Sequence, residues 1–303
     1  MKHTVKITII LVLIFVVSQI VGLVTVNRYL DVDYMDGQPE VSHPSTIIGE
    51  PPEVENKSFS FIPIILTILI GTAFIFVLMH FKLARLWKYW FLFAVVLTMA
   101  LSFGVYINSL LALGLAIILG LAKVYRPDVF VHNFTEIFIY TGITIAILPF
   151  LNLISAFGML VLISLYDAYA VWKSKHMIKL AEFQTETRVF AGLFLPYDKK
   201  KGVIYSRHAK PKTGKKSAKG AKTAILGGGD IAFPLLFAGA VMQHLIEVEN
   251  YSKIAALNSS FIIAATTTLA LVALLLMSRE ERFYPAMPFI SLGCIVGFVI
   301  VML

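Results

Sequence analysis

The chain has 303 residues, 58% of them hydrophobic and 15% charged, with a net charge of +8 and a single cysteine, Cys294. A soluble domain is near half apolar and a quarter charged, so these proportions exclude one and define an integral membrane protein. The lone cysteine excludes a disulfide framework and a Cys-based zinc or iron–sulfur site, and in a membrane protein the positive balance reads first as topology rather than as affinity for nucleic acid.

The first apolar run, Ile7 to Val26, follows Lys2, His3 and Lys6. It is too long for the core of a cleaved signal and lacks a small-residue cleavage site, so it is expected to be a retained helix. Residues 28 to 58 carry seven acids (Asp31, Asp33, Asp36, Glu40, Glu50, Glu53, Glu55) against Arg28 and Lys57, with Pro39, Pro44, Pro51 and Pro52. An acidic, proline-rich loop after a basic N-terminus belongs outside.

Phe59 to Phe81 is the second expected span, and the basic Lys82, Arg85 and Lys88 after it place that end inside. From Tyr89 to Ala122 no charge occurs over 34 residues. As one helix this would be about 51 Å long, against a hydrocarbon core of roughly 30 Å. It is therefore expected to be a hairpin of two spans turning near Asn108-Ser109. The same argument makes Asn133 through Trp172 two spans, turning near Pro149-Phe150-Leu151-Asn152.

Lys173 to Lys222 holds fourteen Lys and Arg against three acids, a surplus of eleven that exceeds the charge of the whole chain. This loop is expected to be cytoplasmic. Its first half mixes Met177, Ile178, Leu180, Phe183, Phe190 and Leu193 with charges, as an interfacial helix does. Its second half, Lys199 to Lys222, is rich in Lys, Gly and Ser and is expected to be disordered. Anionic lipid and topology account for the lysines, so no nucleic-acid partner is expected. Ala224 to Ile246, Ile254 to Met277 and Pro285 to Leu303 complete an all-α polytopic fold of nine spans, N-terminus cytoplasmic and C-terminus outside. The divisions are 1–172 (spans one to six), 173–223 (the basic loop) and 224–303 (spans seven to nine).

Ionisable groups inside a span are costly and mark function. Two acids lie well inside: Asp167 in the sixth span and Asp230 in the seventh. Counting about six residues from the inner end of each helix puts both roughly 9 Å below the inner edge, and no Lys or Arg shares that depth. Glu136 sits near an inner edge, within reach of water. Two close, desolvated carboxylates share a proton, which splits their roles: one takes a proton from water, the other donates to the carbonyl under attack. Gly227-Gly228-Gly229 precede Asp230 and Pro234 follows it. Glycines weaken the helix there, and proline leaves the Asp230 carbonyl without its helical donor. Irregular backbone at membrane depth must be buried or face water, and hydrolysis needs such a wet pocket. Tyr284-Pro285-Ala286-Met287-Pro288, opening the ninth span, keeps the backbone extended at the same level, where it can pair with an extended substrate segment.

These residues carry a resemblance. Tyr166-Asp167 resembles the YD motif of presenilins and signal peptide peptidases. Gly227-Gly228-Gly229-Asp230 is similar to their GxGD motif, and Pro285-Ala286-Met287 to their PAL motif, with Met for Leu. The three stand in the family order on the sixth, seventh and ninth spans. Tyr166 to Val171, Leu180-Ala181-Glu182 and Thr185-Glu186-Thr187-Arg188 look presenilin-like too, and the resemblance covers about residues 134 to 303. The basic loop matches the presenilin orientation, and the small size looks like an archaeal homologue in the cell membrane.

The resemblance implies an intramembrane aspartyl endopeptidase that cleaves single-span transmembrane substrates within the bilayer. Asp167 and Asp230 would be catalytic, with Tyr166, Gly227, Gly228, Gly229, Pro285, Ala286 and Met287 lining or supporting the site, and with no metal or cofactor. A homo-oligomer is left open. The seven histidines are scattered and no H-E-x-x-H occurs, which excludes a zinc intramembrane protease. No G-x-S-G occurs, which argues against a rhomboid-type serine protease. A prepilin-type peptidase shares G-x-G-D but brings a cysteine-rich loop that is missing here. A transporter or cation leak pathway could use the same two acids.

Overall fold

The fold comes from a computed structural model that describes residues 5–35, 38–52, 54, 56–126, 128–173, 190–198, 221–278 and 284–303. Among these residues it has nine α-helices: α1 (Val5–Tyr29), α2 (Phe61–His80), α3 (Ala84–Gly104), α4 (Ser109–Tyr125), α5 (Val129–Ile147), α6 (Leu153–Trp172), α7 (Gly229–Glu247), α8 (Lys253–Met277) and α9 (Met287–Met302). Seven are long and apolar enough to cross a membrane; α4 and α9 are shorter, at 17 and 16 residues.

Both sequence-derived hairpins are present. α3 and α4 turn at 105–108, where Asn108 caps α4 by accepting the Leu111 amide at 2.9 Å. α5 and α6 turn through a short 3-10 segment, Leu148–Phe150, and Asn152 with Ser155 forms a reciprocal capping box on α6. Asp128 and Ser252 cap α5 and α8 through side-chain oxygens that accept first-turn amides. Each cap satisfies amides that a helix start leaves without partners.

α7 is the central helix. Every residue from Pro234 to Gln243 is buried, whereas α2 buries only Leu78. A helix that is apolar on all sides and still exposed has no place in water. α8 and α9 approach closely: a Cβ on Gly293 would lie 2.8 Å from the Thr267 Cα, and one on Gly297 2.7 Å from the Ile263 Cα. This small-xxx-small spacing lets helix backbones touch where no hydrophobic force separates helix from lipid.

Two antiparallel ribbons flank the helices. β1 (Asp31–Met35) pairs with β2 (Gln38–Ser42) in the acidic loop. At that end Asn27 donates to the Lys253 carbonyl (2.8 Å), Lys253 to the Leu30 carbonyl, Arg28 to the Val105 carbonyl (3.2 Å) and Asn152 to the Ser58 hydroxyl (3.0 Å). These bonds gather one end of α1, α2, α3, α6 and α8.

At the opposite end, β3 (Gly192–Asp198) pairs with β4 (Ala221–Gly227). This ribbon corrects three expectations. Leu193 is in a strand rather than an interfacial helix. The last residues of the basic loop expected to be disordered, Ala221 onward, are paired. The seventh helix starts at Gly229, not Ala224. The physical reason is burial: Leu193, Leu195, Tyr197, Ala224 and Leu226 all pack into the core shared with α1, α3 and α5. Residues 224–227 gain more there as a strand than they would as an extra turn running into three glycines. Most of the expected interfacial helix and the stretch 199–220 lie outside the described residues.

Candidate active site

Three helix ends converge at the ribbon. Asp167 lies on α6, five residues from its end at Trp172, and its side chain is buried at 6% exposure. The backbone amide of Met287, the first residue of α9, donates to Asp167 Oδ2 at 3.0 Å. The Ala286 amide bears on the same carboxylate. Pro285 and Met287 are buried beside it. The first and third sequence motifs are thus in direct contact.

Asp230 is in the first turn of α7, not a turn and a half inside a continuous helix. β4 delivers it: the strand ends at Gly227, and the Gly228 amide donates to the Ala191 carbonyl at 3.3 Å. The Asp230 carboxylate folds back over Gly227, where an added Cβ would stand 3.2 Å from its Oδ2. At Gly228 a Cβ would meet the Tyr140 ring at 2.9 Å. A side chain at Gly228 would collide with that ring, and one at Gly227 would press on the Asp230 carboxylate. The Asp230 carboxylate lies within electrostatic reach of Asp167. Pro234 sits in the second turn, and Gln19 of α1 donates across to the Ile231 carbonyl at 3.0 Å, bracing the start of α7 from outside. Tyr166 bonds through its side chain to Thr72 on α2 and lies within electrostatic reach of Asp167.

The structure therefore brings together Asp167, Asp230, Gly227, Gly228, Pro285, Ala286 and Met287. Gly229 lies beside them against Phe233, and the Tyr166 side chain is bonded to Thr72 on α2. What sequence reading missed is the wall behind the ribbon. Asn133 of α5 grips β3 with both ends of its amide, donating to the Phe194 carbonyl and accepting the Phe194 amide, each at 3.0 Å. His132 Nε2 holds the Gly192 carbonyl at 2.8 Å. Glu136, expected to reach water, is instead 1% exposed and paired with a buried Lys123. The readable signal was the i, i+1, i+4 run of polar residues His132, Asn133 and Glu136 at the start of an otherwise apolar helix.

A membrane-sized helical fold with one buried and one half-buried aspartate, within electrostatic reach of each other on adjacent helices, defines a class: a polytopic protein with a paired-carboxylate site. The comparisons narrow it. The family model described as "Signal-peptide peptidase, presenilin aspartyl protease" matches residues 12–303, so the chain belongs to that family. It is an aspartic endopeptidase of the intramembrane-cleaving kind and an integral, multi-pass membrane protein. The match also reaches well before residue 134, where the sequence resemblance began. The fold is similar to a solved structure of a presenilin family intramembrane aspartate protease in space group C222, with a TM-score of 0.60 and 16% identity over 97% of this chain and 98% of that one. A second structure, in space group P2, gives a TM-score of 0.58 and 16% identity over 96% of each. No curated protein sequence matches the chain.

Proposed function

We propose that Asp167 and Asp230 are the catalytic pair and that they hydrolyse peptide bonds within single transmembrane helices. The observation that carries this reading is the meeting of three separate segments. Asp167 accepts the Met287 amide, and Asp230 leaves a buried strand to lie within electrostatic reach of it. One carboxylate, ionised, removes a proton from the attacking water; the other, protonated, donates to the carbonyl oxygen of the scissile bond. The proton then passes back as the tetrahedral intermediate collapses, so the pair acts and titrates as a unit. The Met287 amide fixes the Asp167 carboxylate so that its orientation is set before substrate arrives. Pro285 and Pro288 bracket α9's first turn and keep helix from extending across the site.

In this reading the helices make nine crossings, with the N-terminus cytoplasmic and the C-terminus outside. The surplus of eleven positive charges between 173 and 222 puts the ribbon end on the cytoplasmic side. The two short helices, α4 and α9, cross with the help of the extended segments next to them. Substrate unwinds locally to reach the site, since a helical peptide bond is shielded by its own hydrogen bonds.

Asp167→Ala and Asp230→Ala are each expected to abolish cleavage of a transmembrane reporter peptide by the purified chain in liposomes, while thermal unfolding stays cooperative. Native-rate cleavage by either variant would sink the assignment. Ion flux that persists in both variants, without cleavage by the wild type, would point to a transport pathway instead.

A further inference from the structure

Among the described residues the one Lys–carboxylate ion pair is Lys123–Glu136, at 2.6 Å, with both side chains almost wholly buried. The Lys123 ammonium also contacts the His132 carbonyl (3.2 Å), Thr135 Oγ1 (3.1 Å) and His132 Nδ1 (3.2 Å). Its three protons are fully used. The Gly192 carbonyl can only accept, so His132 Nε2 carries the ring proton and Nδ1 faces Lys123 as an acceptor. Ion, imidazole and strand are thus linked in one line from α4 through α5 to β3.

A sealed ion pair is poor value as glue. Its desolvation cancels most of its attraction, and an apolar pair of similar volume often stabilises a fold better. What it supplies is fixed position. Here the object held in position is the ribbon, because His132 and Asn133 grip β3 and β4 runs straight into Asp230.

Tyr140 completes the path. It sits one turn beyond Glu136 on α5 and is 2% exposed. Its hydroxyl oxygen would be 3.2 Å from a Cβ on Gly228, and it lies within reach of the charges of both Glu136 and Asp230. The Glu136 carboxylate is the polar group beside that hydroxyl, and neither the hydroxyl nor the second Glu136 oxygen bonds elsewhere among the described residues.

We propose that Lys123, Glu136 and Tyr140 are positioning residues for Asp230: the ion pair anchors the β3–β4 ribbon, and the Tyr140 hydroxyl sets the place of Gly228 and the Asp230 carboxylate. The inference rests on the catalytic reading of Asp230 given above. The test is steady-state cleavage of a transmembrane reporter peptide by the full chain in proteoliposomes. Tyr140→Phe removes one oxygen and keeps the ring. It is expected to leave the unfolding midpoint and KM unchanged, to lower kcat about tenfold to hundredfold, and to displace the pH–rate profile. The titratable groups facing that hydroxyl and its neighbours are Glu136, Asp230, Asp167, Lys123 and His132. A wild-type kcat and profile overturns the inference. So does a parallel loss of stability and activity, which would make the hydroxyl a structural group.

A second measurement needs no substrate. Lys123→Met with Glu136→Gln removes both charges together and avoids stranding one. Hydrogen exchange at the Phe194 and Gly228 amides is expected to speed up at least about tenfold in this double variant; unchanged protection at both overturns the anchor. A wild-type chain that cleaves nothing would count against the catalytic reading, and the exchange result would still judge the anchor.

Discussion

Met287 meets Asp167 through its backbone, not its side chain. The departure from the family's Leu at this position therefore touches packing only. Met287→Leu conserves volume in a buried site, and kcat/KM measured on a reporter peptide is expected to stay within about threefold, a change of under 1 kcal/mol. A tenfold loss would mean that the thioether itself takes part. Lys123 and Glu136 teach the opposite lesson. They stand thirteen residues apart in the chain, and the sequence places Glu136 near an inner edge within reach of water. Only the packing of α4 on α5 turns them into one buried pair.

Between helices the decisive contact is α3 on α5. A Cβ at Gly142 would overlap the Thr98 carbonyl and crowd the Thr98 Cα at 3.0 Å. Backbone cannot swing aside as a side chain can, so Gly142→Ala is expected to destabilise the fold by about 1–3 kcal/mol in reversible denaturant unfolding. Gly71 on α2 is the control. Nothing lies within 4 Å of the Cβ it lacks, and Gly71→Ala is expected to be neutral or to stabilise by up to about 1 kcal/mol through helix propensity. Equal losses at both sites would refute the packing argument.

The helices themselves were legible. Apolar runs too long for one span forced the two hairpins, and Asn108, Asn152 and Pro149 marked their turns. The three motifs named the site residues that converge. The ribbon was not legible. Ala224-Ile225-Leu226 reads as easily as helix, and its strand partner is about thirty residues away across a basic loop, a pairing that local pattern cannot encode. Once the strand claims those residues, the start of α7 moves to Gly229 and Asp230 moves with it from mid-helix to the first turn.

Across the whole molecule, the end away from the site carries its own acid sensitivity. Burial first, then the nearby charge of Lys57, pushes the His43 imidazole down to about 4, against the opposing influence of Gln243. The unfolded chain takes up this proton near pH 6.5, and the folded chain resists it until about pH 4. Stability from this group is thus complete above 6.5 and is lost as pH falls towards 4. Unfolding midpoints measured from pH 7 to pH 5 are expected to fall in the wild type and to fall less in His43→Gln. Identical slopes would show that His43 carries none of the effect. Neither Asp167 nor Asp230 is among the groups that act on His43, so acid lability of the fold and the pH profile of cleavage can be read as separate curves.

The β3–β4 pairing has a further consequence for how the chain can change length. Strand positions repeat every ~3.3 Å, and a slip of one residue turns each side chain to the opposite face. Lengthening or shortening the chain between Asp198 and Ala221 leaves Gly192 opposite Gly227, and so leaves the Asp230 carboxylate where it was. One residue added between Gly227 and Asp230 has no such freedom: it shifts a carboxylate by a full strand step while Asp167 stays bound to Met287. Insertions and deletions in this protein should therefore be free on one side of β4 and intolerable three residues away on the other.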